Sequence, residues 1–144
     1  MRYFDTSFLA PLILEEATSE RVEAFIARLP VADLCISHWT RTEFASLLGR
    51  EVRVEAITKE SALLAMDQFD AMVAESFQLV APGAADFELA TAYVKHFATK
   101  LRAGDALHLA IASNHGAKVL HTLDQGLLAA AKLLKVPASR GIKP

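Results

Sequence analysis

Short apolar runs alternate with longer stretches of helical spacing along this chain. Arg2–Asp5 is a brief apolar strand that ends on an acid. A helix from about Ser7 follows, with Pro11 near its first turn, where proline is tolerated. Val22, Phe25, Ile26 and Leu29 recur at i, i+3, i+4 and i+7, the signature of an amphipathic helix, and Pro30 closes it. Leu34–Ser37 reads as a second strand. Thr40 then opens a helix with Phe44, Leu47 and Leu48 on one face. Thr58 is placed as the N-cap of a long helix carrying Met66, Phe69, Val73 and Phe77. Gln78–Val80 is a third strand, stopped by Pro82 and Gly83.

Phe87, Ala90, Val94 and Phe97 mark the next helix. Ala103, Ala106, Leu107, Ala110 and Ile111 mark another, ended by Gly116. Lys118–His121 is a fourth strand and Asp124–Lys135 the last helix, with Leu127, Leu128, Ala131 and Leu134 turned inward. A short fifth strand is placed near Ser139–Ile142. Strands alternating with helices predict a parallel sheet covered on both faces. The expectation is a three-layer α/β/α fold on four to five short strands. No repeat, low-complexity tract or linker divides residues 1–144, so one domain is expected.

Composition sharpens this only in part. At 53% hydrophobic and 22% charged, the chain has a core to bury. A net charge of −2 gives no general attraction for nucleic acid, so a polyanion would need a local cluster or a metal. Cys35 stands alone in an apolar run, which excludes a disulfide framework and suits a reducing cytoplasm. Asp5 and Pro11 interrupt any signal-like stretch between Arg2 and Leu14, and no run reaches the length of a membrane span.

The candidate chemistry lies in four acids: Asp5, Glu43, Asp105 and Asp124. Asp5 ends the first strand. Glu43 is placed in the first turn of the helix after the second. Asp124 follows the fourth. Asp105 begins the helix leading into the fourth, which runs antiparallel to the strands. All four therefore fall on the carboxyl edge of the sheet, where open α/β folds bind ligands. Each has an ordinary alternative as a helix cap or first-turn acid. Glu43 in particular completes a capping box with Thr40. Four carboxylates at one edge repel one another unless a cation intervenes.

The segments around these acids resemble a known family. "YFDTS", "ISHWTRTEF", "LRAGDALHLAIA" and "HTLDQGLL" in this order resemble PIN-domain ribonucleases, and within them VapC-type toxins of bacterial toxin–antitoxin pairs. The resemblance spans essentially the whole chain. It implies a metal-dependent endoribonuclease, with Asp5, Glu43, Asp105 and Asp124 matching the catalytic carboxylates. Thr6 and Thr122 match the nearby hydroxyl positions. It also implies Mg²⁺ or Mn²⁺, an RNA substrate, a homodimer and a cognate antitoxin that covers apolar helix faces. Asp5 and Asp105 are placed nearest the metal, with Glu43 and Asp124 binding a second ion or orienting water.

Other residues change the picture less. The histidines lack the cysteine partners and spacing of a zinc site. His108, one turn from Asp105, is placed either to orient it or as a structural residue. His38 and Trp39 are placed in the loop before Glu43, where they stack a base or pack the loop. Arg102 is the first choice for a phosphate contact, with Arg41, Arg50, Arg53, Lys95 and Lys100 behind it. Two other functions compete: a non-catalytic binding domain with the acids as caps, and a phosphatase with Asp5 as nucleophile. The second lacks an acid two residues on, where Ser7 stands.

Overall fold

Alternation along each strand divides the core in two. In the computed structural model, which describes residues 1–144, Tyr3 and Phe4 of β1 (Arg2–Phe4) point to opposite faces. Phe4 joins Leu34 and Ile36 of β2 (Leu34–Ser37) in one apolar cluster. Tyr3 and Cys35 join the other. Such period-two division is what a strand buried on both faces requires.

The first cluster is roofed by α1 (Thr6–Ile13), α2 (Ser19–Ala27), α3 (His38–Arg53) and α4 (Lys59–Ser76). Phe44 of α3 and Phe69 of α4 stack with ring centroids 4.4 Å apart, and both are fully buried. Truncating either to alanine removes about 3–5 kcal/mol. The second cluster is roofed by α5 (Ala84–Lys95), α6 (Ala103–Asn114) and α7 (Gln125–Leu134).

Between the layers lies one sheet, completed by β3 (Gln78–Val80), β4 (Val119–His121) and β5 (Ala138–Ser139). Its order is β3-β2-β1-β4-β5 and every pairing is parallel. Tyr3 faces Cys35 on one side and Leu120 on the other. The order reverses between β1 and β4, and that crevice is the topological switch point. No helix is long and apolar enough to cross a membrane.

Several boundaries move from their sequence-based positions. The third helix starts at His38, not Thr40. Ser37 is its N-cap, and Thr40, the third helical residue, closes the capping box by accepting the Ser37 N–H at 3.3 Å. Glu43 is thus free of the capping role given to it, and His38 and Trp39 lie in the first helical turn, not in a loop. Phe97 leaves the face assigned to it. Helix α5 ends at Lys95, and Phe97 sits in a single 3-10 turn, 81% exposed. The fifth strand falls at Ala138–Ser139.

Candidate active site at the sheet switch point

Asp5 is the most constrained of the four acids. It leaves β1 extended and caps α1, its Oδ1 accepting the Phe8 N–H at 3.0 Å and the Ser7 hydroxyl at 2.8 Å. Oδ2 accepts the Thr122 hydroxyl at 2.6 Å. Ser7 and Thr122 are fixed in turn by main-chain donors, Leu123 N–H at 3.0 Å on Ser7 and Asp124 N–H at 3.0 Å on Thr122. The β1 and β4 exits are stitched together across the switch point. Burial pushes the Asp5 carboxyl upward; the charge of His108 and the Thr122, Ser7 and Phe8 bonds oppose it.

Glu43 is held from the opposite side. Its Oε1 accepts the Thr6 hydroxyl at 2.6 Å and lies 2.5 Å from His108 Nε2. A carboxylate at that distance assigns the proton to Nε2. His108 Nδ1 meets the Tyr3 hydroxyl at 2.8 Å, and that hydroxyl meets Ser37 Oγ at 2.8 Å. Tyr3 and His108 are both 1% exposed, so the relay is sealed beneath the site. Burial raises the Glu43 carboxyl, but His108 and Thr6 outweigh it and hold the group below its usual range. Oε2 is left turned toward Gly104, where an added Cβ would stand 3.1 Å away.

Asp105 has no such partner. It lies in the first turn of α6, half-buried, and its carboxyl is pushed up to about 6. Burial contributes most, then the charge of Asp124; Glu43 and Asp5 add to it and His108 opposes it. Asp124 is exposed and caps α7, accepting the Leu127 N–H at 2.9 Å.

These parts meet in one cavity of about 460 Å³. Asp5, Glu43, Asp105 and Asp124 all line it, with Thr6, Ser7 and Arg50. Thr122 lies beneath it, bonded to Asp5. No group of three or more His, Cys, Asp or Glu side chains is arranged by itself to hold a metal ion. The acids face a shared space and repel across it, most at Asp105.

The sequence-based cations divide. Arg102 is exposed at the N-cap of α6 and lines a second depression with Asp105 and Asp124. Arg41 is engaged elsewhere, its guanidinium bidentate on Asp70 at 2.6 and 3.0 Å. One contributor was given the wrong partner and one was missed. His108 positions Glu43 and not Asp105, and Ser7 is a direct donor to Asp5. The "DTS" run carried a signal for Ser7, since a hydroxyl two residues after a helix cap can reach back to it.

Comparison with known proteins agrees with this architecture. FitAcB from Neisseria gonorrhoeae superposes with a TM-score of 0.75 at 19% identity, covering 98% of each chain. VapC20 from Mycobacterium tuberculosis, a toxin that cleaves the sarcin–ricin loop, gives 0.70 at 21% identity, covering 90% of this chain and 95% of its own. VapBC-1 from nontypeable Haemophilus influenzae gives 0.68 at 14%, covering 96% and 97%. At these identities the likeness is one of fold. No curated protein sequence matches the chain. The PIN domain model matches residues 2–133, and the chain belongs to the PIN domain family.

Proposed function

We propose that this chain is a metal-dependent endoribonuclease, the toxin of a toxin–antitoxin pair, acting on RNA phosphodiester bonds. One observation carries the reading: four carboxylates from four separate segments line a single cavity at the carboxyl edge of the sheet. Capping explains Asp5 and Asp124 but not Asp105, whose carboxyl is pushed up to about 6 with no hydrogen bond to stabilise its charge. A cation supplies what that group lacks.

The donor set fits Mg²⁺ or Mn²⁺. Every donor is oxygen, and Mg²⁺ keeps several waters while using one or two carboxylates with substrate phosphate. Splayed acids around an open cavity suit such an ion better than a closed cage would. Asp5 and Asp105 would hold it, with Glu43 Oε2 and Asp124 flanking. The bound ion would lower the pKa of a water and neutralise charge growing on phosphorus.

The protein's own groups perform the remaining tasks. Thr6 and His108 both hold Oε1 of Glu43, which leaves Oε2 without a hydrogen bond in a side chain that lines the cavity. That carboxylate, held ionised below its usual range, would orient the attacking water by accepting its hydrogen bond. Ser7 and Thr122 hold Asp5 against rotation. Arg50 and Arg102, the exposed cations at the two depressions, offer phosphate contacts. The FitAB and VapBC-1 likenesses support an antitoxin partner, and a homodimer of the toxin belongs to the same proposal.

The test is cleavage. Purified protein, freed of any partner, cuts RNA with Mg²⁺ or Mn²⁺, stops with EDTA, and loses activity in Asp5→Asn and Asp105→Asn. Equal cleavage by wild type and both variants would assign the activity to a contaminant. Inactivity over a broad RNA panel with both metals would return the chain to a binding role.

A further inference from the structure

A second cavity, of about 560 Å³, opens beside the acidic one. Trp39 and Thr42 line both, so the indole and its neighbour are a shared wall. The new cavity is otherwise walled by α5 and the start of α6, including Phe87, Ala90, Val94 and Leu107. Its rim carries His38 and Lys95, and no acid lines it. Nothing in the acid site's hydrogen-bond scheme uses this space.

We infer that this cavity takes one unpaired nucleobase of the RNA, adjacent to the bond cut in the acidic cavity, with Trp39 as its stacking wall. The inference rests on the ribonuclease reading for its substrate. Four observations carry it.

The wall is shared, so a strand whose phosphate sits among the acids places its neighbouring base against the indole. The wall is also rigid. Trp39 Nε1–H donates to the Gly104 carbonyl at 3.1 Å, and Gly104 lies so close that a Cβ would stand 3.0 Å from Cζ2. A fixed aromatic face is what single-strand binders use to stack bases, and splayed bases are how RNA is read.

The lining also matches a base in polarity. Its walls are apolar, and its polar groups are sparse and placed to meet an edge. Thr42 and Thr91 donate their hydroxyls to the main-chain oxygens of His38 and Phe87 at 3.3 and 2.9 Å, so each presents lone pairs outward. Lys95 supplies a donor. Charge completes the case. The chain is acidic overall, at −2, so electrostatics alone attracts RNA weakly, and a stacking pocket gives affinity that net charge does not. An amphipathic partner helix would instead need a groove for several anchors in series.

Trp39 is the sole tryptophan, so its fluorescence reports on the pocket directly. The full chain carrying Asp105→Asn, which leaves RNA uncut, is titrated in Mg²⁺ with an unstructured oligoribonucleotide. The same oligomer with an abasic residue at successive positions is the comparison. The expected result is saturable quenching, with one abasic position that abolishes it and weakens binding about 10-fold. Thr91→Phe, which fills the cavity without touching the acids, weakens the intact oligomer by a similar factor and leaves the abasic one unaffected. Quenching with no abasic-sensitive position overturns the inference even if Thr91→Phe fails to fold. Unchanged RNA binding with loss of self-association in Thr91→Phe also overturns it and assigns the cavity to a second copy. The ribonuclease reading fails separately: wild type that quenches in this pattern but cuts nothing keeps the pocket and loses the nuclease.

Discussion

His108 Nε2 and Glu43 Oε1 are 2.5 Å apart, and that short contact decides which way the Glu43 carboxylate faces. Both residues sit on helices that meet only in the folded chain, 65 positions apart. Tyr3 closes the other side of the imidazole and prevents it from turning. Groups that orient catalytic carboxylates and metal ligands cost about 10–100-fold when removed. His108→Ala is therefore expected to lower kcat in that range, with KM for RNA little changed. His108→Gln, which keeps a donor, recovers part of the loss. A fall in KM-linked affinity with kcat intact would place His108 in RNA binding instead.

Asp105 gives the site a pH dependence with a definite sign. Its carboxyl is raised in the folded chain from 3.8 to about 6, so the folded state holds this proton more tightly than the unfolded state does. That contribution is complete below about pH 4 and is lost as pH rises through about 6. His121 works in the opposite sense over the same window. Burial first, then Arg2, pushes it down to about 4, so its contribution is lost as pH falls. The net slope of wild type mixes the two. The difference between wild type and Asp105→Asn isolates Asp105: in EDTA, the variant gains melting temperature relative to wild type as pH goes from 5 to 7. Mn²⁺ affinity of wild type rises over the same interval, because the ion competes with that proton. A constant difference across this range would remove Asp105 from the repelling cluster.

The quartet was legible because Asp5, Asp105 and Asp124 sit at boundaries that pattern alone predicts, and Glu43 lies in the second turn of the helix that follows β2. A parallel sheet then puts every such boundary on one edge, and Asp5, Glu43, Asp105 and Asp124 do share a cavity there. What joins them was not legible. His108 reaches Glu43 only because Tyr3, on the other face of β1 from Phe4, lies beneath it. Arg41 looked like a free cation until α4 brought Asp70 against it. Trp39 was placed in a loop because Thr40 looked like a cap, whereas Ser37 ends β2 and caps α3 without a gap. Periodicity fixes which face a residue shares, but not which distant side chain arrives on it.

Arg102 and Arg41 separate a phosphate contact from a structural one. Arg102 is exposed beside the depression that Asp105 and Asp124 share. Its replacement by alanine should weaken RNA binding and reduce the slope of log affinity against log salt by about 0.7, the value for one single-strand phosphate contact. Arg41 is bound to Asp70 across α3 and α4. Arg41→Ala should shift that slope less and act on stability, within about 1 kcal/mol for a half-exposed pair. Equal salt slopes for wild type and Arg102→Ala would take Arg102 out of the RNA path.

Asp124 offers the cleanest separation of cap from cluster, because it is both. Its carboxylate caps α7 through the Leu127 N–H, and its charge is the largest carboxylate contribution to the raised Asp105. Asparagine caps a helix as well as aspartate does but carries no charge. In EDTA at pH 7, Asp124→Asn should melt at or above wild type, since it relieves repulsion and keeps the cap. Added Mn²⁺ should raise its melting temperature less than that of wild type, because an ion bound only to the folded state stabilises by mass action and this variant binds it less well. Asp124→Ala loses the cap as well and should be about 1 kcal/mol less stable than Asp124→Asn with or without metal. Asp5 does not allow this separation. Its two oxygens accept from Phe8, Ser7 and Thr122, so Asp5→Asn forces a donor into a buried set of donors and lowers stability in both conditions. If Asp124→Asn melted below wild type in EDTA yet took the full Mn²⁺ shift, Asp124 would be a helix cap and nothing more.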